Sequence, residues 1–285
     1  MRRKHRLKEL TIKNNFMFGA VMMYENNCRG LLERVLEIPI DRVEVSREKS
    51  IVYHPEYKGV RLDVYAKDEC QSHYNVEMQV KRKDALGKRS RYYQSQMDME
   101  LLLSGEDYSE LPDTYVIFIC DFDPFEEEKY RYTFKMTCKE SVQTNLEDGR
   151  TIVFLNTHGK NESEVPKELV TFLKYVKADL AGSEEAFDDS YVEQLQNFIR
   201  KIKGSREMEE RFMIFEEMLK EEREEGREEG RSVLKETLFL CLQSFGDIPD
   251  EVLEQIQAQQ DMEVLKNWMQ TAFQSKTLEE FVQKM

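Results

Sequence analysis

The sequence predicts an α/β core followed by an all-helical region, and three observations support this fold class. Between residues 43 and 155, short apolar runs have the length and the alternation of strands. One of these runs, residues 114–120, is continuously apolar and rich in β-branched residues, which is typical of a buried strand. After Pro166, apolar residues recur at helical spacing.

The core elements follow one another in a simple order. The spacing of apolar residues predicts a first helix over residues 14–37, which Pro39 ends because proline disfavours the helical conformation of the residue before it. A second helix is predicted over residues 86–103, and its first half carries many basic and amide side chains. Besides residues 114–120, strands are predicted at residues 43–46, 50–53, 60–66, 74–80, 130–136 and 151–155.

We divide the chain into four segments. Residues 1–165 form the core, and residues 166–220 form a helical extension that packs on the core or on a partner subunit. Residues 221–231 repeat Arg-Glu-Glu-Gly and predict a charged helical linker. Residues 232–285 form a small helical domain with a break at residues 246–249.

Two apolar stripes in the helical extension leave the oligomeric state open. Their 3/4 spacing suits either an ordinary intramolecular helix face or contact with a second copy, as a homodimer or higher homo-oligomer through helices 191–219. The stripes consist of Tyr191, Leu195, Phe198 and Ile202, then Met208, Phe212, Phe215 and Leu219.

Composition narrows the class of protein. With 40% hydrophobic residues, 16 Phe and 13 Tyr, the chain can build a large core, and no apolar run approaches the ~18–20 residues that span a bilayer. No secretory apolar region follows the basic start. The five cysteines are scattered and form no Cys-x-x-Cys pair, which argues for a reducing compartment and against structural zinc. We therefore expect a soluble cytoplasmic protein.

The net charge of −14 is unevenly distributed. Residues 1–140 carry 24 basic and 25 acidic side chains, a net charge of −1, whereas residues 141–285 carry 18 basic and 31 acidic side chains, a net charge of −13. A local basic surface in the first half is therefore compatible with the acidic whole, and local potential steers anionic ligands.

Two carboxylates on neighbouring predicted strands form the main candidate site. If residues 60–66 and 74–80 form an antiparallel hairpin in which paired residue numbers sum to 140, Asp63 lies opposite Glu77, with Cβ atoms ~5 Å apart. Two carboxylates this close favour a divalent cation between them, and Mg²⁺ is typically held by one or two carboxylates, water and substrate phosphate. The alternative is a polar strand face with two unrelated surface acids.

A basic segment follows directly. From Lys81 to Arg91 there are six positive charges and one negative charge, and phenol and amide side chains follow at residues 92–96. Such a segment suits a phosphate backbone. The alternative is a solvated helix entry that serves only solubility. Beside the carboxylate pair, a phosphodiester substrate explains the segment better.

The pattern Asp63…Glu77-Met78-Gln79 resembles the PD-(D/E)XK nuclease superfamily. More closely, it is similar to the branch of PD-(D/E)XK nuclease family transposases, or recombination-promoting nucleases, of bacteria. The likeness extends over about residues 7–160, with further support from residues 10–18, 91–94 and 105–111 and from the Glu/Arg/Gly linker. It implies a restriction-endonuclease-like core, in which a mixed β-sheet is flanked by helices.

The resemblance also implies roles for individual residues. Asp63 and Glu77 would be metal ligands together with the Met78 backbone carbonyl, and the ion would be Mg²⁺, with Mn²⁺ as a substitute. Asp63, Glu77 and Gln79 would be catalytic, although Gln79 stands where the superfamily usually has a lysine. Contacts to DNA phosphate would come from Lys81, Lys83, Arg89, Arg91, Tyr92 and Gln94.

Two functions therefore remain in view. The leading one is a metal-dependent DNA endonuclease associated with recombination or transposition. The other is a catalytically weak DNA-binding or oligomeric scaffold that keeps the nuclease fold. An enzyme acting on a small phosphorylated molecule lacks support, because the sequence contains no Walker-type or dinucleotide-binding glycine loop.

Overall fold

The computed structural model describes residues 6–51, 58–141 and 143–285. It divides into two compact units, residues 1–209 and residues 210–285. Among the described residues, no helix has the length and apolar character needed to cross a membrane. Whether the four sequence segments are separate functional parts stays a prediction.

The first unit is built on one mixed β-sheet with strand order β1-β2-β3-β4-β6-β5. Strands β1, β2 and β3 are antiparallel neighbours, β3, β4 and β6 run parallel, and β5 is antiparallel to β6. The strands are β1 Val43–Ile51, β2 Val60–Asp68, β3 His73–Gln79, β4 Thr114–Cys120, β5 Arg131–Phe134 and β6 Arg150–Asn156.

Helices flank the sheet on both sides. Helix α3 covers the face that carries a core of Tyr93, Met97, Val116 and Phe118. Helices α1 and α2 contact β1 and β2 and lie outside that core, with α4 and α5 packed against them. The helices are α1 Asn15–Met22, α2 Glu25–Leu36, α3 Leu86–Leu101, α4 Lys167–Lys177 and α5 Ser190–Gly204. The predicted restriction-endonuclease-like architecture, a mixed sheet flanked by helices, is confirmed.

The first predicted helix is in fact two helices. Tyr24 adopts an extended conformation between α1 and α2, and its ring stacks on Phe198 of α5 at 5.1 Å. The Asn27 side chain donates to the Val21 carbonyl in the last turn of α1 and so satisfies a helix-end acceptor. Helical spacing of apolar residues continues across this break, so the sequence pattern alone did not reveal it.

The strands predicted at residues 43–46 and 50–53 belong to one strand, although Val52 and Tyr53 lie outside the described residues. Strand β1 pairs with β2 from Val43 to Ile51. Its polar middle interrupts the apolar alternation, but an edge strand tolerates charged residues. The long neighbour β2 therefore decides the continuity of β1.

The second unit is helical. It contains most of α6 Arg206–Gln243, then α7 Asp250–Ala258, α8 Met262–Gln274 and α9 Leu278–Lys284. Its core includes Leu238, Leu242, Ile256, Leu265 and Phe281. The Arg-Glu-Glu-Gly repeat lies inside α6, and residues 221–229 are exposed.

Candidate active site

The ends of β2 and β3 bring the two predicted carboxylates together. The pairs Val64–Val76 and Tyr65–Asn75 confirm the predicted register, in which residue numbers sum to 140. Beyond Val64, the Asp63 backbone N–H donates to Glu77 Oε1 at 3.2 Å. The Met78 backbone N–H donates to Asp63 Oδ2 at 3.3 Å. Each carboxylate thus accepts a hydrogen bond from the neighbouring strand.

Glu77 is buried. Its exposed fraction is 2%, and Asn75 and Gln79 on the same strand face are buried too. Burial and the nearby charge of Asp63 raise the pKa of Glu77 to about 7, against the opposing effect of Arg89. The alternative of two unrelated surface acids is therefore wrong, because α3 covers this polar strand face.

Arg89 reaches both polar side chains at the end of β3. Its Nη2 donates to Glu77 Oε2 at 2.7 Å and its Nη1 donates to Gln79 Oε1 at 2.9 Å. Its Nε donates to the Tyr93 hydroxyl at 2.7 Å. The guanidinium also lies 4.9 Å from the Tyr93 ring centroid and 5.5 Å from that of Phe118. One turn of α3 therefore holds a guanidinium against Glu77.

Helical spacing explains this arrangement. Arg89 and Tyr93 are four residues apart, so they lie on the same side of α3. Phe118 pairs in register with Glu77 between β3 and β4, so both side chains lie on the sheet face under α3. Sequence reasoning missed Tyr93 as a member of the site, although its spacing from Arg89 was a usable signal.

Gln79 is held at both ends of its amide. Its Oε1 accepts from Arg89, and its Nε2 donates to the Lys81 carbonyl at 2.7 Å. The structure therefore brings Asp63, Glu77, Gln79 and Arg89 into one hydrogen-bonded group.

The backbone of Met78 faces β2, the strand that carries Asp63. Gln79 O accepts from the Asp121 N–H, so the Gln79 backbone faces β4. Backbone groups of successive strand residues point to opposite neighbours, so the N–H and carbonyl of Met78 face β2. The Met78 carbonyl is thus directed toward the side on which Asp63 lies.

The predicted phosphate contacts fall into two groups. Lys81, Lys83 and Arg91 are exposed around the start of α3. Tyr92 is half-buried, and its hydroxyl donates to the Lys58 carbonyl. These residues lie at the surface, whereas the Arg89 guanidinium is directed inward to Glu77.

Gln94 lies elsewhere. It is buried, and its Nε2 donates to the carbonyls of Thr114 and Thr151 at 3.3 and 3.4 Å. Thr114 pairs with His73, four residues before Glu77, which is roughly 13 Å along the strand. The Gln94 amide links the beginnings of β4 and β6.

The oxygen donors of the site suit a cation such as Mg²⁺, which takes only some of its ligands from the protein. Within the described ranges, no three His, Cys, Asp or Glu side chains form a metal-binding cluster. Two carboxylates and the Met78 carbonyl provide oxygen donors only, and Mg²⁺ commonly completes such a set with water and phosphate. Burial and the charge of Asp63 raise the pKa of Glu77, and a divalent ion between the two carboxylates would favour their ionised forms.

Comparison with known proteins places the chain in a family. The family model of PD-(D/E)XK nuclease family transposases matches residues 11–232, which include the whole site. Searches of curated proteins and of solved structures gave no match. The chain therefore belongs to the PD-(D/E)XK nuclease family transposases, and this membership indicates a nuclease role.

Proposed function

We propose that the protein is a metal-dependent DNA endonuclease that hydrolyses phosphodiester bonds, associated with DNA recombination or transposition. The observation that carries the proposal is the carboxylate pair Asp63–Glu77 at the end of the β2–β3 hairpin. Two carboxylates this close, one of them buried, repel each other when ionised, and a divalent cation held between them would relieve that repulsion.

Asp63, Glu77 and the Met78 carbonyl would hold the cation, with Mg²⁺ as the natural ion and Mn²⁺ as a substitute. When bound, such an ion polarises a phosphoryl oxygen and lowers the pKa of a coordinated water. Gln79 contributes by fixing the orientation of its neighbours, because both ends of its amide are engaged.

The substrate would be DNA. The exposed cations Lys81, Lys83 and Arg91 lie around the start of α3. Contacts of this kind position a phosphate backbone without reading its sequence. They support a nucleic acid rather than a small phosphorylated molecule.

The test is cleavage of supercoiled plasmid by the full chain with Mg²⁺, Mn²⁺ or EDTA. Wild type should nick or linearise the plasmid only with a metal, and Glu77→Ala should lose this activity while it still binds DNA in a fluorescence anisotropy assay. Glu110→Ala, at an exposed glutamate outside the site, is the matched control and should cleave like wild type. Cleavage that persists in Glu77→Ala, or none by wild type, contradicts the proposal.

The scaffold function has one observation in its favour. On α5, Tyr191, Leu195 and Ile202 are buried within the first unit. On α6, however, Met213, Ile214 and Met218 are 62%, 60% and 53% exposed, and apolar helix faces of this kind suit a second copy. Wild type that binds DNA, self-associates in analytical ultracentrifugation and does not cleave would favour this function.

A further inference from the structure

We infer that Arg89 is itself a catalytic residue, whose guanidinium contacts the phosphate that is cleaved, and that Gln79 and Tyr93 are its positioning residues. The inference rests on the nuclease function proposed above. It assigns to one side chain the positive charge that contacts the cleaved phosphate. It separates Arg89 from the exposed basic residues nearby.

The first argument is how firmly the guanidinium is held. Its three hydrogen bonds go to Glu77, Gln79 and Tyr93, and all three are between 2.7 and 2.9 Å. Two aromatic rings pack within 5.5 Å of it. Arginine usually loses considerable side-chain freedom when it binds a ligand. Here that freedom is already restricted in the free protein.

The second argument is that donors remain. A guanidinium has five N–H groups, and the three hydrogen bonds described above use three of them. The Arg89 side chain is 28% exposed, so solvent and ligands reach it. Two remaining donors on a planar group match two oxygens of a phosphate.

The third argument is position. Arg89 contacts Glu77 directly, so a phosphate near the carboxylate pair lies within reach of its guanidinium. In phosphodiester hydrolysis, negative charge on the phosphoryl oxygens is stabilised best by a cation that is already oriented. Lys81, Lys83 and Arg91 are exposed, which suits general attraction of DNA rather than this task.

Gln79 explains why the charge comes from the helix. Its amide oxygen accepts from Arg89 and its amide nitrogen is anchored on the Lys81 carbonyl, so this neutral side chain serves as a support. A lysine at position 79 would place an ammonium against the guanidinium. A positively charged side chain therefore fits at position 79 or at position 89, but not at both.

The experiment relocates this charge. Single-turnover and steady-state cleavage are measured for Arg89→Gln, Arg89→Lys, Gln79→Lys and the double variant Gln79→Lys/Arg89→Gln. We expect Arg89→Gln to lower kcat about 10²-fold with KM changed less than about threefold, as for other preorganised donors. The double variant should recover at least about tenfold over Arg89→Gln, whereas Gln79→Lys alone should not exceed wild type. Arg89→Lys should fall between wild type and Arg89→Gln, because an ammonium cannot span three partners.

A second readout is Mn²⁺ binding by isothermal titration calorimetry. Arg89→Gln should bind Mn²⁺ at least as tightly as wild type, because the variant removes a cation from Glu77. Arg200→Gln, at an exposed arginine of α5 that pairs with Glu184, is the matched control for losing an ion-paired arginine.

The outcomes distinguish the two proposals. No metal-dependent cleavage by wild type overturns the nuclease function and this inference with it. Cleavage by wild type with Arg89→Gln within threefold of it overturns this inference alone. So does a double variant that recovers nothing, or a loss of Mn²⁺ binding in Arg89→Gln, since either result would make Arg89 a purely structural residue.

Discussion

The end of the β2–β3 hairpin and the middle of α6 are both dominated by charged residues, yet they differ in environment. The hairpin end has two carboxylates, Asp63 and Glu77, and α3 contributes the Arg89 guanidinium that contacts Glu77. Residues 221–231 of α6 have six glutamates and three arginines, and nearly all of them face solvent.

The difference teaches that burial, rather than the number of charges, decides how strongly a charged residue affects its neighbours and the stability of the fold. Exposed pairs such as Lys220–Glu224 are screened by water and contribute little. Glu77 has lost most of its water, so each neighbouring charge changes its ionisation strongly. The expected effects of substitutions should decrease from the buried region to the exposed one.

The largest effect on stability concerns Glu77. Its pKa rises from 4.5 in the unfolded chain to about 7 in the folded protein, so the folded state binds the proton more tightly between these values. The folded protein therefore loses stability as pH rises from about 4.5 to about 7, by about 3 kcal/mol at most. Urea unfolding is measured at pH 5 and at pH 8. Between these two pH values, the free energy of unfolding of wild type should fall relative to that of Glu77→Gln.

The control for this comparison is Glu110→Gln, which should follow wild type at both pH values because Glu110 is exposed. Parallel pH dependence of wild type and Glu77→Gln would show that the carboxyl is ionised in the folded protein at pH 5.

A smaller effect is expected at Gln94, a buried but neutral group. Gln94→Leu removes hydrogen bonds to the carbonyls of Thr114 and Thr151, so unfolding in urea should become easier by about 1–3 kcal/mol. If the amide is structural, DNA affinity of the folded variant stays within twofold of wild type. A tenfold loss of affinity with unchanged stability would support the phosphate contact that the sequence suggested.

Exposed charges at the start of α3 should affect DNA affinity in proportion to how many of them contact phosphate. Replacing both Lys83 and Arg91 with glutamine should reduce the slope of log affinity against log salt by about 1.8, since each phosphate contact releases about 0.9 counterion. Fluorescence anisotropy over a salt series measures this slope. The pair Lys266→Gln/Lys284→Gln in the second unit is the control for net charge. An unchanged slope in Lys83→Gln/Arg91→Gln would exclude these two contacts.

The smallest effect is expected in α6. Gly226 is helical, and an added Cβ meets no atom within 4 Å, so Gly226→Ala should stabilise the second unit by about 0.5–1 kcal/mol. Gly246 has a φ of +129°, so Gly246→Ala should instead destabilise it. Thermal unfolding followed by circular dichroism compares the two variants. A loss of stability in Gly226→Ala would mean that the exposed helix packs against something in solution.

Much of the first unit followed from local pattern. The strands predicted at residues 60–66, 74–80 and 114–120 correspond to β2, β3 and β4, and the helix predicted at residues 86–103 corresponds to α3. The placement of Asp63 beside Glu77 followed from strand alternation and one assumed turn. The break at Tyr24 and the continuity of β1 did not follow, because each depends on a partner distant in sequence: Phe198 for the former and β2 for the latter.

By itself, the sequence determined the elements, the hairpin register and the residue types at its end, because periods of two and 3.6 residues are local properties of the chain. Only the tertiary structure decided that the polar face of β3 is buried, that Arg89 points inward while Arg91 is exposed, and that the Gln94 amide bonds to carbonyls of β4 and β6. These properties depend on where α3 lies on the sheet, and that placement is fixed by packing between residues far apart in the sequence.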